Sequence, residues 1–201
     1  MLRRFFLKKT TLFAFATSVS GFTQVNAKGQ LLGGCPTTSD ALGPYFREGA
    51  PIRKDLNYKK RKGKPLKVIG QLFASDCETP IANTIIEVWH CTHRRRYDMK
   101  SPHFKCRAKV QTDENGFYFF NTIIPPNYWW RPKHIHFLVR DIPEHAQLIT
   151  QLYFKGDKRI KKRTEHNHYP YDKNRILTPY QNVEGQTEVQ LNLYLSPLPK
   201  E

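Results

Sequence analysis

Short runs of alternating apolar and polar residues, separated by turn signals, constrain the fold of this chain more than any other feature. Residues 66–74 alternate in this way, and residues 187–194 place Val189, Leu191 and Leu193 on one face. Similar strand-like runs occupy residues 84–90, 108–112, 117–122, 135–140 and 148–154. No segment keeps helical spacing over three turns. Regularly spaced strands without crossover helices predict an all-β fold, an antiparallel β-sandwich with long loops.

The segments between these runs predict long loops. Residues 28–64 form an arm rich in Gly, Pro and charge, which ends in the basic run 59–62. Residues 155–185 are polar and irregular and predict a surface loop. A chain of 201 residues is long enough for one domain with a hydrophobic core.

The N-terminus has the features of an export signal. Arg3 and Arg4 begin a segment similar to the twin-arginine motif, an apolar stretch follows over 11–22, and small residues end it at Ala27. The stretch is too short and too polar for a stable membrane span. We therefore predict a twin-arginine-type signal peptide over 1–27, a mature domain over 28–201, and export to a periplasm or to the outside.

Cysteine usage agrees with an oxidising compartment. The four cysteines, Cys35, Cys77, Cys91 and Cys106, allow three pairings, and none lies in a CxxC motif typical of zinc ribbons. Two disulfides are the simplest interpretation, and we favour Cys35–Cys77 with Cys91–Cys106. Residues 32–35 are also similar to a lipoprotein box, so lipidation at Cys35 is an alternative. It ranks second because the box lies well beyond the apolar stretch.

The formal net charge of +16 leaves two interpretations open. A basic chain is attracted to polyanions and would also concentrate a small anionic substrate. The simpler interpretation is a solvated basic surface. One alternative function is therefore a non-catalytic, basic β-sandwich module that binds extracytoplasmic polyanions.

The segment 128–137 carries the densest potential chemistry. On a strand, side chains alternate between faces, so His134 and His136 point to the same side and form a compact pair of metal ligands. Arg131 precedes them on a proline turn, among three aromatic residues. Two histidines combined with tyrosine phenolates suit ferric iron, because a phenolate oxygen stabilises the higher charge. No HExxH motif of a zinc protease occurs.

These motifs resemble the intradiol ring-cleavage dioxygenases, the family of protocatechuate 3,4-dioxygenase and catechol 1,2-dioxygenase. The resemblance covers residues 42–157, and its pieces follow in order with matching gaps. The pieces are Gly-Pro-Tyr-Phe (43–46), Ile-Glu-Val-Trp (86–89), Thr-Asp (112–113), Gly-Phe-Tyr-Phe (116–119), Thr-Ile-Ile-Pro (122–125), Arg-Pro-Lys-His-Ile-His-Phe (131–137) and 148–157.

The resemblance implies a non-haem Fe(III) site with two tyrosines and two histidines. By motif the metal ligands are Tyr97, Tyr128, His134 and His136. The resemblance further implies catalytic roles for Arg131, Tyr128 and Gln151. Gly43, Pro44 and Tyr45 match a segment that lines the family's substrate pocket. The implied reactants are a small aromatic diol and O2, and the implied product is a cis,cis-muconic acid. We expect a homo-oligomer that binds no specific nucleic acid and has no membrane span.

Departures from the family pattern bear on the substrate. Only two residues separate Tyr128 from Arg131, where the family usually has a longer Gly- and Pro-rich insert. The basic run 94–96 beside Tyr97 favours an anionic catechol or is a solvated loop. A third functional hypothesis is a degenerate member that keeps iron without turnover, although all four ligand positions are present. The remaining histidines, including the His-x-His at 166–168, are predicted to be surface or structural.

Overall fold

The alternating runs form short strands in the computed structural model, which describes residues 35–57, 62–160 and 173–199 and two short strands before them. In chain order the strands are β1 (Gln24–Val25), β2 (Leu31–Leu32), β3 (Pro65–Phe73), β4 (Ile85–Trp89), β5 (Arg107–Gln111), β6 (Phe117–Ile123), β7 (His134–Val139), β8 (Leu148–Phe154), β9 (Ile176–Leu177), β10 (Tyr180–Gln181), β11 (Thr187–Gln190) and β12 (Leu193–Tyr194). Within the described residues, helix is confined to 158–160 and a 3₁₀ turn at Lys173–Arg175. No helix in this part of the chain has the length and apolarity needed to cross a membrane.

Two five-stranded sheets make the sandwich, which confirms the predicted all-β fold. The first sheet has β3 at its centre, with β6 on one side, β11 and β12 on the other, and β10 beyond β11. The second sheet has the order β5-β4-β7-β8-β9. Most pairings are antiparallel as predicted, but β11 and β12 run parallel to β3, and β9 runs parallel to β8. The parallel pairs arise because the C-terminal segments return to the sheets after long connections.

Strand β3 needs a glycine at position 70, where the segment between β11 and β12 lies beside it. A Cβ at Gly70 would lie 1.8 Å from the carbonyl oxygen of Leu191. The Tyr118 hydroxyl donates to that same carbonyl at 2.6 Å. The backbones of β3 and the C-terminal segment therefore approach closely here, and only glycine allows it.

The hydrophobic core lies between the two sheets. Even-numbered residues of β4 and odd-numbered residues of β7 face it, so alternation assigns one face of the second sheet to the core. Representative members are Val68, Ile86, Val88, Phe120, Ile135, Phe137, Leu152 and Val189. The opposite face of the second sheet is left to carry other side chains.

The arm, residues 35–57, covers that opposite face. Its backbone bonds to the second sheet, from Asp40 N to Ile149 O at 2.7 Å and from Arg53 N to Lys109 O at 3.0 Å. Leu56 at its end is buried in the core. The loop predicted for 28–64 is confirmed over 35–57, which contains no strand, but β2 (Leu31–Leu32) lies in the first part of the predicted loop.

One predicted disulfide is present and the other prediction is wrong. Cys35 and Cys77 are joined, which ties the start of the arm to the turn after β3. Cys91 and Cys106 are both buried thiols. The Cys91 Sγ donates to the carbonyl oxygen of Pro126 at 3.4 Å. The predicted signal peptide (1–27) and the His-x-His at 166–168 lie outside the described residues, apart from β1.

Candidate metal centre

The two histidines of β7 lie on the face of the second sheet that is turned away from the core. His134 and His136 are each only 4% exposed, while Ile135 and Phe137 between and after them pack in the core. In the register of the sheet, Tyr153 lies opposite His134, and Gln151 lies opposite His136. The strand alternation therefore brings these four polar side chains onto one buried surface.

Tyr97 reaches this surface from the loop between β4 and β5. Its hydroxyl lies 2.9 Å from Nε2 of His134 and 3.2 Å from Nε2 of His136. Arg107 shapes the loop, because its Nε donates to the carbonyl oxygen of Asp98 at 2.8 Å. The structure thus brings together the donor atoms of three of the four predicted ligands, close enough to one another to bind a single metal ion.

Both histidines are neutral and present a ring nitrogen to that point. His134 Nδ1 donates to the carbonyl oxygen of Pro132 at 2.6 Å, so the lone pair of the neutral ring is on Nε2. Burial, with the Arg131 charge second, lowers the pKa of His134 to about 3. Burial and the neighbouring His134 hold the pKa of His136 well below its ordinary value. Neutral imidazoles are the form that binds metal.

Tyr128, the fourth predicted ligand, lies beside the other three. Its ring meets that of Tyr97 edge-on with centroids 5.2 Å apart, and its hydroxyl lies 2.5 Å from the hydroxyl of Tyr45. Partial burial and this hydrogen bond raise the pKa of Tyr128 to about 12. Burial also raises the pKa of Tyr97 well above its ordinary value. Both phenols are therefore protonated near neutral pH without a cation nearby.

The predicted pocket segment, 43–45, packs directly on the ligands. The ring of Tyr45 stacks on Tyr97 with centroids 4.5 Å apart. Gly43 has a φ of 73°, and a Cβ there would lie 3.6 Å from Cε1 of His136. Pro44 connects the two. The arm therefore contacts two of the predicted ligands through this segment, whose role in a substrate pocket stays a prediction.

Arg131 and Gln151, the predicted catalytic and orienting residues, contact each other. Arg131 Nη2 donates to Gln151 Oε1 at 2.5 Å. Arg131 Nε is buried, and no described residue accepts a hydrogen bond from it. An unsatisfied buried donor beside the ligands is a position where a substrate oxygen could bind.

Sequence reasoning missed three residues behind this pair. Asp40, Tyr153 and Arg175 form a buried hydrogen-bonded group next to Gln151. Tyr153 could have been found, because it lies two residues after Gln151 on the same face of a strand. Asp40 and Arg175 carried no signal, since 135 residues separate them.

Trp89 is buried against one of the predicted ligands. Its ring stacks on that of His136 with centroids 4.7 Å apart and 6° between the planes. The stacked Trp89 ring therefore fixes the orientation of the His136 imidazole.

The mouth of the site is aromatic and basic. Trp129 and Trp130 form the tip of a two-residue turn between Tyr128 and Arg131, and each is 68% exposed. Arg94 and Arg96, from the exposed basic run 94–96, line a cavity of about 520 Å³ that Tyr97 also lines.

The residues present fit a ferric ion. In the described part of the chain, no three His, Cys, Asp or Glu side chains cluster as a metal site, so the two histidines need the tyrosines to complete a ligand set. Two neutral imidazole nitrogens and two phenol oxygens form a hard, anionic donor set once the phenols lose their protons. A nearby trivalent cation would lower the raised pKa values of Tyr97 and Tyr128.

Comparisons with known proteins identify the family to which this chain belongs. A family model described as dioxygenase matches residues 41–194. Catechol 1,2-dioxygenase 2 of Acinetobacter lwoffii is 32% identical over 158 residues, covering 67% of this chain and 56% of that protein. The protocatechuate 3,4-dioxygenase beta chain of Burkholderia cepacia is 38% identical over 126 residues, covering 53% and 54%. The chain thus spans just over half the length of these relatives.

Among solved structures, the dioxygenase domain of a dioxygenase carbohydrate-binding protein fusion from Streptomyces sp. SirexAA-E has a TM-score of 0.70 at 28% identity. It is matched over 99% of its length and 81% of this chain. An intradiol ring-cleavage dioxygenase from Tetranychus urticae has a TM-score of 0.59 at 24% identity, covering 93% of that chain and 79% of this one, and shows the same fold.

Proposed function

The chain belongs to the intradiol dioxygenase family, and we propose that it is an iron-dependent enzyme that opens a catechol-type ring between its two hydroxylated carbons. The proposed product is a cis,cis-muconic acid, with both atoms of O2 incorporated. One observation carries the proposal: the Tyr97 hydroxyl converges with Nε2 of His134 and His136, at 2.9 and 3.2 Å.

Non-haem Fe(III) is the proposed cofactor, held by Tyr97, Tyr128, His134 and His136. When bound, it supplies Lewis acidity that withdraws electron density from the diol. The histidines support this role because burial keeps both of them neutral. Trp89 stacked on His136 and the Pro132 carbonyl bonded to His134 hold the two rings in place.

Tyr128 is proposed as the base that receives a substrate proton. A phenol whose pKa is raised to about 12 is, once deprotonated, a strong proton acceptor. The hydroxyl of Tyr45, 2.5 Å from that of Tyr128, can hold the Tyr128 oxygen by a hydrogen bond both before and after the proton arrives. The proton would move from a diol hydroxyl to the Tyr128 oxygen.

Arg131 is proposed to stabilise negative charge that develops on the ring. Gln151 accepts one guanidinium N–H, and the buried Nε stays available to the substrate. A fixed cation in a site of low dielectric stabilises a developing anion more than it would in water.

The mouth of the site supports an anionic or extended aromatic diol. The exposed basic run 94–96 would attract a carboxylate, and the exposed rings of Trp129 and Trp130 offer a surface for aromatic contact. A preference for a carboxylated catechol is tested by comparing kcat/KM for protocatechuate and catechol at low and high salt, where screening should reduce only the protocatechuate value.

The visible spectrum of the purified protein, together with a metal assay, tests the proposed function. About one iron per chain, a tyrosinate-to-iron band, a shift of that band on adding catechol, and O2 uptake with muconate formation are expected. A colourless protein that cannot be reconstituted with iron would overturn the proposal. Salt-sensitive retention of such a protein on a polyanion column would support the basic binding module in its place.

Export and assembly are further parts of the proposal. The Cys35–Cys77 disulfide supports an oxidising compartment and hence export of the domain, periplasmic or secreted. Fractionation of cells with a tagged chain tests this. A homo-oligomer is proposed from the expectation for the family, and light scattering of the purified protein measures it.

A further inference from the structure

A partly buried carboxylate, that of Asp40 in the arm, lies behind the proposed catalytic arginine. Asp40 Oδ2 accepts hydrogen bonds from Arg175 Nη1 and from the Tyr153 hydroxyl, both at 2.8 Å. Its Oδ1 lies 3.3 Å from Nε2 of Gln151. Although burial disfavours the charge, the bonds from Arg175 and Tyr153 hold the pKa of Asp40 below its ordinary value. Asp40 is therefore an anion that both Gln151 and Tyr153 face.

This carboxylate and the backbone carbonyl of Ala41 together determine which way the Gln151 amide points. The amide nitrogen has two acceptors, Asp40 Oδ1 and the carbonyl oxygen of Ala41, the latter at 2.8 Å. With the nitrogen on that side, the Gln151 oxygen must face Arg131. A reversed amide would set two donors against Arg131 and an oxygen against a carboxylate.

The carboxylate also determines where the Tyr153 proton goes. The Tyr153 hydroxyl lies 2.8 Å from Asp40 Oδ2, 2.9 Å from Gln151 Oε1 and 3.4 Å from Arg131 Nη2, yet it has one proton. A charged acceptor binds a hydroxyl proton more strongly than a neutral amide does. When the Tyr153 hydroxyl donates to Asp40, the Gln151 oxygen is left to Arg131, and the Tyr153 oxygen can also accept a hydrogen bond from Arg131.

The arm holds Asp40 in place independently of these side chains. Asp40 N donates to Ile149 O at 2.7 Å, and Thr37 N donates to Tyr194 O at 3.0 Å. The Cys35–Cys77 disulfide fixes the arm five residues before Asp40. Arg175 enters from the 3₁₀ turn and offsets the charge of the carboxylate, with side-chain exposures of 4% for Arg175 and 20% for Asp40.

We propose that Asp40 is a positioning residue, which acts through Gln151 and Tyr153 to hold the Arg131 guanidinium in its catalytic orientation. This inference rests on the proposed ring-cleavage function. A buried ion pair is by itself a weak source of fold stability. A pair that served the fold alone would not need the hydrogen bonds that connect Asp40 to Arg131 through Gln151 and Tyr153.

Asp40→Asn is the first test, because it removes the charge and keeps the volume. The Asn amide would present N–H donors to Arg175, Tyr153 or Gln151, so the Tyr153 proton would turn to the Gln151 oxygen and compete with Arg131. We expect kcat to fall by about 10- to 100-fold, the range typical of residues that orient a metal-site group, with KM changed less. The iron content and the tyrosinate band should stay as in the wild type.

The matched control is Asp141→Asn, at a side chain that is 91% exposed and pairs with Arg140 only at 3.8 Å. The φ of Asp141 is 60°, which Asn tolerates well, so kcat should stay within about twofold of wild type. A wild type that is colourless or inactive would count against the proposed function. An active, coloured wild type with an equally active Asp40→Asn variant would overturn only the role of Asp40.

A double-mutant cycle separates positioning from general support. In an Arg131→Ala background, Asp40→Asn should change the residual kcat by less than about twofold, because the group that it positions is gone. An equal fall in both backgrounds would overturn the proposal. A crystal structure of the metal-free Asp40→Asn protein should also show Arg131 Nη2 displaced from Gln151 Oε1, and an unmoved guanidinium would contradict it.

Tyr153→Phe covers the case in which Asp40→Asn does not fold. It removes the hydroxyl between Asp40 and Arg131 without changing charge, and its ring can stay in place. We expect a fall in kcat of about three- to tenfold that disappears in the Arg131→Ala background. Full activity of a folded Tyr153→Phe protein, together with an unfolded Asp40→Asn, would mean that Asp40 serves the fold alone.

Discussion

Strands β7 and β6 both bury one face in the inter-sheet core, but they differ in what covers the other face. All six residues of β7 are buried, because the arm and the loops around Tyr97 and Tyr128 cover its second face. β6 alternates instead, leaving Phe117 and Phe119 exposed by 53% and 37%. The second face of β7 carries histidines, whereas that of β6 carries aromatic rings in a solvated groove of about 550 Å³. Polar side chains that are buried on the face turned away from the hydrophobic core therefore mark the functional surface.

The largest effect should come from His136, on the covered face of β7. His136→Ala removes one of the two neutral ring nitrogens that would bind the metal. We therefore expect loss of iron, loss of the visible band and a fall in kcat of roughly a thousandfold or more. Thermal unfolding of the metal-free variant should be close to that of the metal-free wild type. His145→Ala, in the loop between β7 and β8, is the control and should keep both iron and activity. Retained iron in His136→Ala would remove His136 from the ligand set.

Its neighbour Phe137 tests the opposite face of the same strand. Phe137 is fully buried near Tyr118 and Phe120, so Phe137→Ala should lower the free energy of unfolding by about 3–5 kcal/mol. Phe119→Ala on β6 loses an exposed ring and its contacts with the ammonium groups of Lys54 and Lys67, 4.3 and 5.6 Å from the ring centroid. It should cost about 1 kcal/mol or less. Urea titration measures both values. Similar costs would mean that the two faces do not differ as the burial indicates.

The sequence could predict which face of each strand points inward, because alternation alone determines it. The run 148–154 was predicted with the bounds that β8 has, and His134 and His136 share a face. The parallel return of β11 and β12 could not be predicted, because strand pairing depends on the path of the long connections. The pairing of Cys91 with Cys106 was predicted wrongly, since spacing does not show that Cys91 turns toward Pro126.

A polar link joins the two sheets at the end of β4. His90 follows β4, and its Nε2 lies 2.6 Å from the Thr122 hydroxyl on β6, while its Nδ1 donates to Cys91 O. Burial lowers the pKa of His90 to about 4, so the folded chain keeps it neutral while the unfolded chain protonates it below about pH 6.5. The unfolded state then binds more protons, and the stability present above pH 6.5 falls as the pH is lowered toward 4.

For the metal-free protein, this histidine should account for about 2 kcal/mol of stability lost between pH 6.5 and pH 5. His90→Gln should reduce the pH dependence by that amount, measured by urea unfolding at the two pH values. The other buried histidines contribute equally to both proteins and cancel in the difference. An unchanged pH dependence would show that His90 is solvated or already protonated in the folded state.

The smallest effect should come from the turn that separates Tyr128 from Arg131. Trp129 has a φ of 50°, in the left-handed region that favours glycine at the first central position of such a hairpin turn. Trp129→Gly should therefore raise the free energy of unfolding by up to about 1 kcal/mol, whereas Trp129→Ala keeps the Cβ and should gain nothing. An equal rise in the free energy of unfolding in both variants would mean that loss of the exposed ring, and not relief of backbone strain, causes the effect. If the Trp129 ring contacts the substrate, both variants should raise KM, while only Trp129→Gly should stabilise the fold. The backbone strain at Trp129 would then be retained because the ring serves substrate binding.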